Sequence, residues 1–224
     1  MRLSPHKFSF AATLVTLGLL GLLLTTGCQS IYNATMEGVF GYEKRELFKK
    51  SVTAVQSEQK DAQKEFKDAL TRLKELYAFK GGELESVYEK VKSSYERCDG
   101  EAKAVRSRIA NMEDIATAMF KEWEKEIQQY TNPNLAATSR EQLRATRERY
   151  AQLSRTVRAS EAAMQPVLAQ LKDNVLFLKH NLNASAIGTL QNEATTIQTQ
   201  IEQLLVRMNA SIAESDSFIK TLPK

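Results

Sequence analysis

Cys28 is the residue of this chain whose surroundings point most directly to a chemical reaction. It closes the run Leu24-Thr25-Thr26-Gly27-Cys28, which follows a short basic start and an apolar stretch over residues 8–24. That order is typical of a secretory signal that ends in a lipidation site. The predicted chemistry is transfer of a diacylglyceryl group to the Cys28 thiol, cleavage between Gly27 and Cys28, and acylation of the freed amine by a fatty acid such as palmitate.

The apolar stretch is short for a membrane anchor, since it holds about 17 residues and a membrane-spanning helix needs roughly 20. Each buried methylene of an acyl chain contributes about 0.8 kcal/mol, so two or three chains hold a protein stably at a bilayer. Thr25 stands where such signals usually carry an aliphatic residue. Two alternatives therefore stay open, which are an ordinary cleaved signal and an uncleaved N-terminal anchor.

The residues after Cys28 indicate which membrane it reaches. Lipoproteins kept at the bacterial inner membrane typically carry Asp at the next position, whereas Gln29 and Ser30 favour the outer membrane, facing the periplasm. The inner membrane is the alternative. The expected organisation is a cleaved signal peptide (1–27), a lipidated N-terminus with a short tether (28–41) and a single helical domain (42–224). Fully extended, the tether reaches about 45 Å.

Outside this box the chain offers few groups for catalysis. After the signal a single histidine remains, His180, which excludes a multi-histidine metal site. The carboxylates interleave with Lys and Arg at helical spacing, and no glycine-rich phosphate loop is present. We therefore expect no enzyme, no metal and no cofactor. Loss of Arg2 and Lys7 lowers the net charge from +4 to about +2, which does not indicate nucleic-acid binding.

Cys98 is the second of only two cysteines. If Cys28 is acylated, Cys98 has no intramolecular disulfide partner. It falls on an apolar helical stripe, which favours a small buried hydrophobic residue, and a reactive or intermolecular thiol is the alternative.

Four long segments carry apolar residues at alternating spacings of three and four. The stripes cover residues 48–76, with Gln59 as a polar exception, and residues 84–123, 143–182 and 187–222. A period of 3.5 sustained over this length is typical of a coiled coil. We predict an all-α fold, an elongated antiparallel bundle of about four long helices, with Phe66, Trp123 and Tyr150 near its core.

Glycine, proline and capping residues set the predicted helix ends. The Gly81-Gly82 pair ends the first helix, and residues 131–134 end the second. Ser139 opens a capping box at the start of the third, which Pro166 kinks. The heptad phase slips over residues 181–185, so a tight turn is expected there, with one continuous bent helix as the alternative.

Two stretches depart from the plain heptad pattern. Residues 40–46 combine aromatic rings, a glycine and alternating charge, and residues 175–184 are apolar beyond one stripe. An exposed apolar tip on a helical hairpin is a candidate partner site, unless residues 42–48 cover it. Capping of a helix C-terminus is the other role open to His180. The candidate interaction residues are Phe40, Tyr42, Lys44, Arg45, Phe177, Lys179, His180 and Asn181.

The same stretches resemble a known family. Residues 40–45, the Gly81-Gly82 break, the Glu122-Trp123 pair and residues 177–184 are similar to a bacterial family catalogued as domain of unknown function 2959 (DUF2959). The similarity covers nearly all of the chain after the signal. It implies an envelope lipoprotein of proteobacteria and implies no activity, because none is assigned to that family.

Two functions fit these observations. The first is a lipid-anchored structural or interaction protein, a scaffold or adaptor whose partners are the membrane and an unidentified envelope protein. The second is a membrane-surface or lipid-binding helical module that lies on anionic headgroups. The mixing of Lys with Glu favours the first. Neither involves nucleic acid, and because heptads also fit an intermolecular coil, self-association stays open.

Overall fold

The computed structural model describes residues 41–79, 81 and 83–222, so the predicted signal peptide, Cys28 and most of the tether lie outside the described residues. The described residues belong to one compact unit that begins at Gly41. The helices are α1 (Gly41–Tyr77), α2 (Leu84–Ile127), α3 (Pro133–Ala162), α4 (Met164–His180) and α5 (Ala184–Thr221). Since α3 and α4 continue one another, the prediction of an all-α bundle of four long helical rods is confirmed.

Neighbouring rods run antiparallel. Glu58 and Glu65 of α1 pair with Arg108 and Arg97 of α2, so the order of the partners reverses along the chain. The rods contact one another in a closed cycle: α1, α2, the α3–α4 rod, α5 and α1 again. We call the four interfaces of this cycle seams. The near end is where α1 begins and α5 ends, and the far end is where α1 ends and α5 begins.

The apolar stripes supply the core. Every stripe position of α1 over residues 48–76 is buried, including the polar Gln59. Trp123 is also buried, and Tyr150 packs against the core. Leu182 is the stripe residue that is exposed, at 43 %, because it lies in the turn after α4. At 1.5 Å per residue the 44-residue α2 is about 66 Å long.

The start of α3 differs from the prediction. The helix begins at Pro133, because the Asn132 side chain accepts hydrogen bonds from two N–H groups of the first turn, at 2.9 and 3.3 Å. Proline suits the first helical position, where its missing N–H has no partner to lose. The capping role of Ser139 is therefore wrong. Ser139 is buried inside the helix, and its Oγ accepts a hydrogen bond from Trp123 Nε1 at 2.9 Å.

The third rod is interrupted between α3 and α4. Pro166 has no N–H for the Ala162 carbonyl, and in a straight helix its ring would clash with that oxygen. The helix accordingly ends at Ala162 and resumes at Met164. Ala163 keeps a right-handed helical backbone, with φ −70° and ψ −14°, so no loop separates the two pieces. Pro166, for which the sequence predicted a kink, thus interrupts the helix at Ala163.

The turn between α4 and α5 is present, and the single bent helix is wrong. Asn181 leaves the helical region, with φ −133° and ψ 58°. Asn183 starts α5 by accepting a hydrogen bond from the Ala186 N–H at 3.0 Å. Beside this turn, α1 ends at Tyr77, and Gly81 has φ +146°, which glycine alone adopts readily.

Replacing either helical glycine by alanine should stabilise the bundle. Gly100 in α2 and Gly188 in α5 have nothing within 4 Å of an added Cβ. Each Gly→Ala change should raise the free energy of unfolding by about 0.5–1 kcal/mol, because alanine loses less backbone entropy in a helix. Urea denaturation measures the change. Gly81→Ala is the control and should destabilise, since its φ of +146° strains any L side chain. A loss of stability in Gly100→Ala would contradict a continuous α2.

Candidate functional site

Aromatic rings from all four rods close the near end. Phe48, Phe120, Tyr150 and Phe218 make edge-to-face or tilted contacts, with ring centroids 5.5–6.4 Å apart. Ring pairs of this geometry contribute about 0.5–1.5 kcal/mol beyond their buried area. This aromatic cluster holds the rods to one another about two helical turns from Gly41.

Two predicted interaction residues are part of the near-end closure. Lys44 is buried, and its Nζ lies 2.9 Å from Glu122 Oε2. The Arg45 guanidinium lies over the Trp123 ring, 5.3 Å from its centroid, which is a cation–π contact. Lys44 and Arg45 therefore hold the first turns of α1 onto α2. Glu122 contacts Lys44, and Trp123 contacts Arg45.

Four other predicted residues lie around the end of α4. Phe177 is half-buried and lines a groove between α4 and α5. Lys179 and His180 are exposed. The Asn181 side chain donates a hydrogen bond to the Phe177 carbonyl oxygen at 2.9 Å and so caps the helix. His180 lies in the last turn, but its side chain makes no hydrogen bond or ion pair with any described residue.

The structure does not bring the two predicted groups together. Lys44 lies at the near end, whereas the Tyr77 hydroxyl donates to Asn174 Oδ1 at the far end, at 3.4 Å, about 50 Å further along α1. Residues 42–48 therefore do not cover the α4–α5 turn, and that alternative is wrong. Phe40 and the side chain of Tyr42 fall outside what the structure describes.

A row of polar side chains that the sequence did not predict joins α1 to α5. Gln59 exchanges hydrogen bonds with Ser211 in the core, from Nε2 to Oγ at 2.8 Å and from Oγ to Oε1 at 3.1 Å. Both residues have no solvent exposure. Buried polar pairs of this kind specify the register of packed helices. The row consists of Gln56 with Asp216, Gln59 with Ser211, and Gln63 with Asn209.

Three of the four seams are bridged by such polar contacts. Glu65 with Arg97 is an example between α1 and α2, at 2.7 Å, and Glu124 with Arg147 is one between α2 and α3, at 2.5 Å. The polar row bridges α1 and α5. Along the fourth seam, between the α3–α4 rod and α5, the described side chains form no hydrogen bond or ion pair across the interface. We call this fourth interface the open seam.

Burial explains the pKa shifts in the core. Desolvation raises the pKa of the buried Cys98 thiol to about 12, and the nearby Glu65 carboxylate adds to the effect. Burial likewise raises the pKa of Tyr77 and of Tyr150 to about 12. The pKa of Glu101 is raised first by desolvation and then by neighbouring carboxylates. The structure thus places Cys98 as the small buried hydrophobic residue that its stripe position predicts. Over the described ranges, no three His, Cys, Asp or Glu side chains form a group that could hold a metal ion.

These features define the class of the chain, an all-α protein built as an antiparallel helical bundle. The family model described as "Protein of unknown function (DUF2959)" matches residues 32–222. The chain therefore belongs to that family, and the resemblance seen in its sequence is confirmed. No curated protein and no solved structure matches it. Among the described helices, none is long and apolar enough to cross a bilayer.

Ser211→Ala should lower the free energy of unfolding by about 1–3 kcal/mol, because it leaves the Gln59 amide buried without a partner. Gln59→Leu in the same chain should recover part of that loss, since an apolar pair needs no hydrogen bond. Urea denaturation of both single variants and the double variant gives the coupling energy. Ser107→Ala, at an exposed helical position, is the control and should change stability by less than about 0.5 kcal/mol. Strictly additive effects would show that the Gln59–Ser211 pair is not coupled.

Proposed function

We propose that this chain is a lipid-anchored structural protein of the bacterial envelope that presents a helical bundle as a scaffold or adaptor. Acyl chains on Cys28 attach it to the inner leaflet of the outer membrane, with the bundle in the periplasm. Its partners are the membrane and an envelope protein, and the proposal assigns it no catalytic step.

The observation that supports this function most is the lipidation box followed within residues 29–41 by α1. A tether of about 45 Å keeps the near end close to the membrane that holds the acyl chains. From there the rods extend for about 66 Å, the length of α2. Polar contacts across three seams and the near-end aromatic cluster stiffen this bundle. A stiff rod with lipid at one end is suited to spacing or gathering partners beside a membrane.

Cys28→Ser tests the anchor and the adaptor role together. Wild-type protein from cells should fractionate with the outer membrane and, after reduction and denaturation, react with one maleimide at Cys98. In-cell cross-linking should capture a reproducible envelope partner, and Cys28→Ser should remove the chain from the outer membrane and abolish that capture. Cys98→Ala is the matched control, with no reactive thiol and unchanged fractionation.

Two reactive thiols in the wild-type chain would contradict acylation of Cys28. Cross-links confined to the chain itself or to its own copies would contradict the adaptor role. A wild-type chain found in the inner membrane would contradict the outer-membrane assignment and leave the anchor intact.

A second candidate function is a membrane-surface module, which one observation favours. Tyr130 and Leu135 are 47 % and 54 % exposed in and beside the α2–α3 connection, at the same end as Gly41. An amphipathic aromatic ring and a leucine suit the boundary between headgroups and acyl chains. The arginines of α3 favour it less, since Arg144 and Arg147 are paired with carboxylates.

Liposome flotation separates this candidate from the first. If the near end lies on lipid, a chain without residues 1–28 should float with phosphatidylethanolamine–phosphatidylglycerol vesicles, and Tyr130→Ser/Leu135→Ser should abolish flotation, because the apolar contact is lost. Leu176→Ser/Leu182→Ser is the control, since these leucines are 47 % and 43 % exposed at the far end. Equal flotation of both double variants would contradict a near-end membrane contact.

A further inference from the structure

The open seam carries two concavities that continue one another. At the far end, a groove of about 430 Å³ runs between α4 and α5, with Phe177, Leu190 and Ile197 among its apolar lining. At the α3–α4 interruption, a second concavity of about 400 Å³ is lined by small residues such as Ala159 and Ala163.

The two concavities lie on the same helix faces. Their lining residues recur at spacings of three and four over residues 159–177 on the α3–α4 rod and over residues 189–207 on α5. Such spacing keeps side chains on one face of a helix. Because the rods are antiparallel, the two stretches run side by side for about 27 Å. The result is one long groove, here called the seam groove, whose length matches a helix of about 18 residues.

Charge is distributed unequally along the seam groove. Asp173 on α4 and Glu193 on α5 are exposed on opposite walls at the far end, where neither Lys nor Arg is among the lining residues. Neither carboxylate forms an ion pair with any described side chain. Arg207 is the one charged residue that lines the other concavity. The seam groove is therefore acidic at the far end and basic beside the α3–α4 interruption.

Further observations point to contact with another helix. Gln200 is a lining residue whose Oε1 is shielded from solvent and accepts no hydrogen bond from a described protein group, so this acceptor is left unsatisfied. Leu176 and Val206, which follow the lining residues Asp173 and Gln203 by one helical turn, are 47 % and 68 % exposed. Exposed apolar residues beside an apolar groove are typical of a surface that receives a partner.

We infer that the seam groove binds an amphipathic helix of a partner protein, with an apolar stripe on its floor and Lys or Arg side chains between Asp173 and Glu193. This inference rests on the proposed interaction role and names the surface that carries it. A helix suits the shape, because a convex ridge of side chains packs into the furrow between two helices. A second copy of the chain would match the charges, because a two-fold axis would place Arg207 of one copy near Asp173 of the other. It does not match the shape, because two concave surfaces would then face each other.

Peptide binding to the full chain in detergent micelles tests the inference. The probes are two fluorescein-labelled 18-residue helical peptides with the same leucine stripe, one carrying lysines at one end and the other carrying glutamates there. By fluorescence anisotropy, the lysine peptide should bind about tenfold more tightly, because two exposed ion pairs together give about that factor. Asp173→Lys/Glu193→Lys should reverse the order of the two peptides.

The matched control is Asp114→Lys/Glu96→Lys, which changes the net charge equally on exposed positions of α2 away from the seam groove. This control variant should keep the preference for the lysine peptide. Micelles without protein should bind the two peptides equally. Tighter binding of the glutamate peptide by the Asp173/Glu193 variant cannot arise from unfolding, so the test does not depend on stability. Equal binding of both peptides by wild type, or a preference that survives the charge reversal, would overturn the inference.

In-cell cross-linking separates failure of this inference from failure of the proposed function. A photoreactive amino acid at Thr189, in the wall of the seam groove, should cross-link to a lysine- or arginine-bearing helical segment of another protein. Partner cross-links from other bundle faces but none from position 189 would reject the seam groove and keep the adaptor role. Cross-links from position 189 to the chain's own residues 29–40, or to a second copy, would also overturn the inference.

Discussion

The bundle depends on the buried hydrogen bonds between Gln59 and Ser211, which set the register of the first helix against the last. Apolar heptad stripes are nearly self-similar, so sliding α5 by one heptad costs little apolar burial. The same slide would strand the Gln59 amide in the core, at about 1–3 kcal/mol. With the register set, Phe218 lies opposite Phe48, and the near-end cluster can include a ring from every rod.

Polar contacts elsewhere in the bundle support this register more than they add stability. Exposed pairs such as Glu58 with Arg108 contribute up to about 1 kcal/mol each, because water and salt screen them. Their geometry still distinguishes one pairing of helices from another. The open seam lacks this constraint and is held by apolar packing, with Tyr150 and Phe218 in ring contact at its near end. It is the interface at which the bundle can accept another chain without breaking an ion pair of its own.

Most of the fold was predictable from the sequence, because helices with apolar residues at strict 3.5-residue spacing bury those stripes by packing side by side with the stripes facing one another. Local signals were less decisive. Ser139 has the residue type of a cap, but the Asn132-Pro133 pair upstream satisfies the first turn, and Ser139 serves as the acceptor of the Trp123 indole. Pro166 gave the interruption of the third rod because its effect on the backbone is local and steric.

The candidate site was less predictable, because its residues are distant in the sequence. The spacing within each stripe says which residues share a face, but not which end of one rod meets which end of another. One alternative therefore expected residues 42–48 to cover the α4–α5 turn. In the structure, residues 42–48 lie at the near end of the bundle and the turn lies at the far end. Gln59 was visible as a polar exception, whereas Ser211, its partner, has no feature in sequence that marks it. Asp173 and Glu193 look like ordinary surface carboxylates until α4 and α5 are placed side by side.

The near-end aromatic cluster has a mechanical consequence for a chain tethered through its N-terminus. Under the proposed anchoring, any pull on the bundle enters α1 at Gly41 and reaches Phe48 after about 10 Å of helix. There the load passes into α2, α3 and α5 through rings that interlock edge to face. The force is then shared in shear by four rods, and α1 is not peeled away turn by turn from its exposed end. With its helices held together at the near end, the bundle resists a pulling force as one unit.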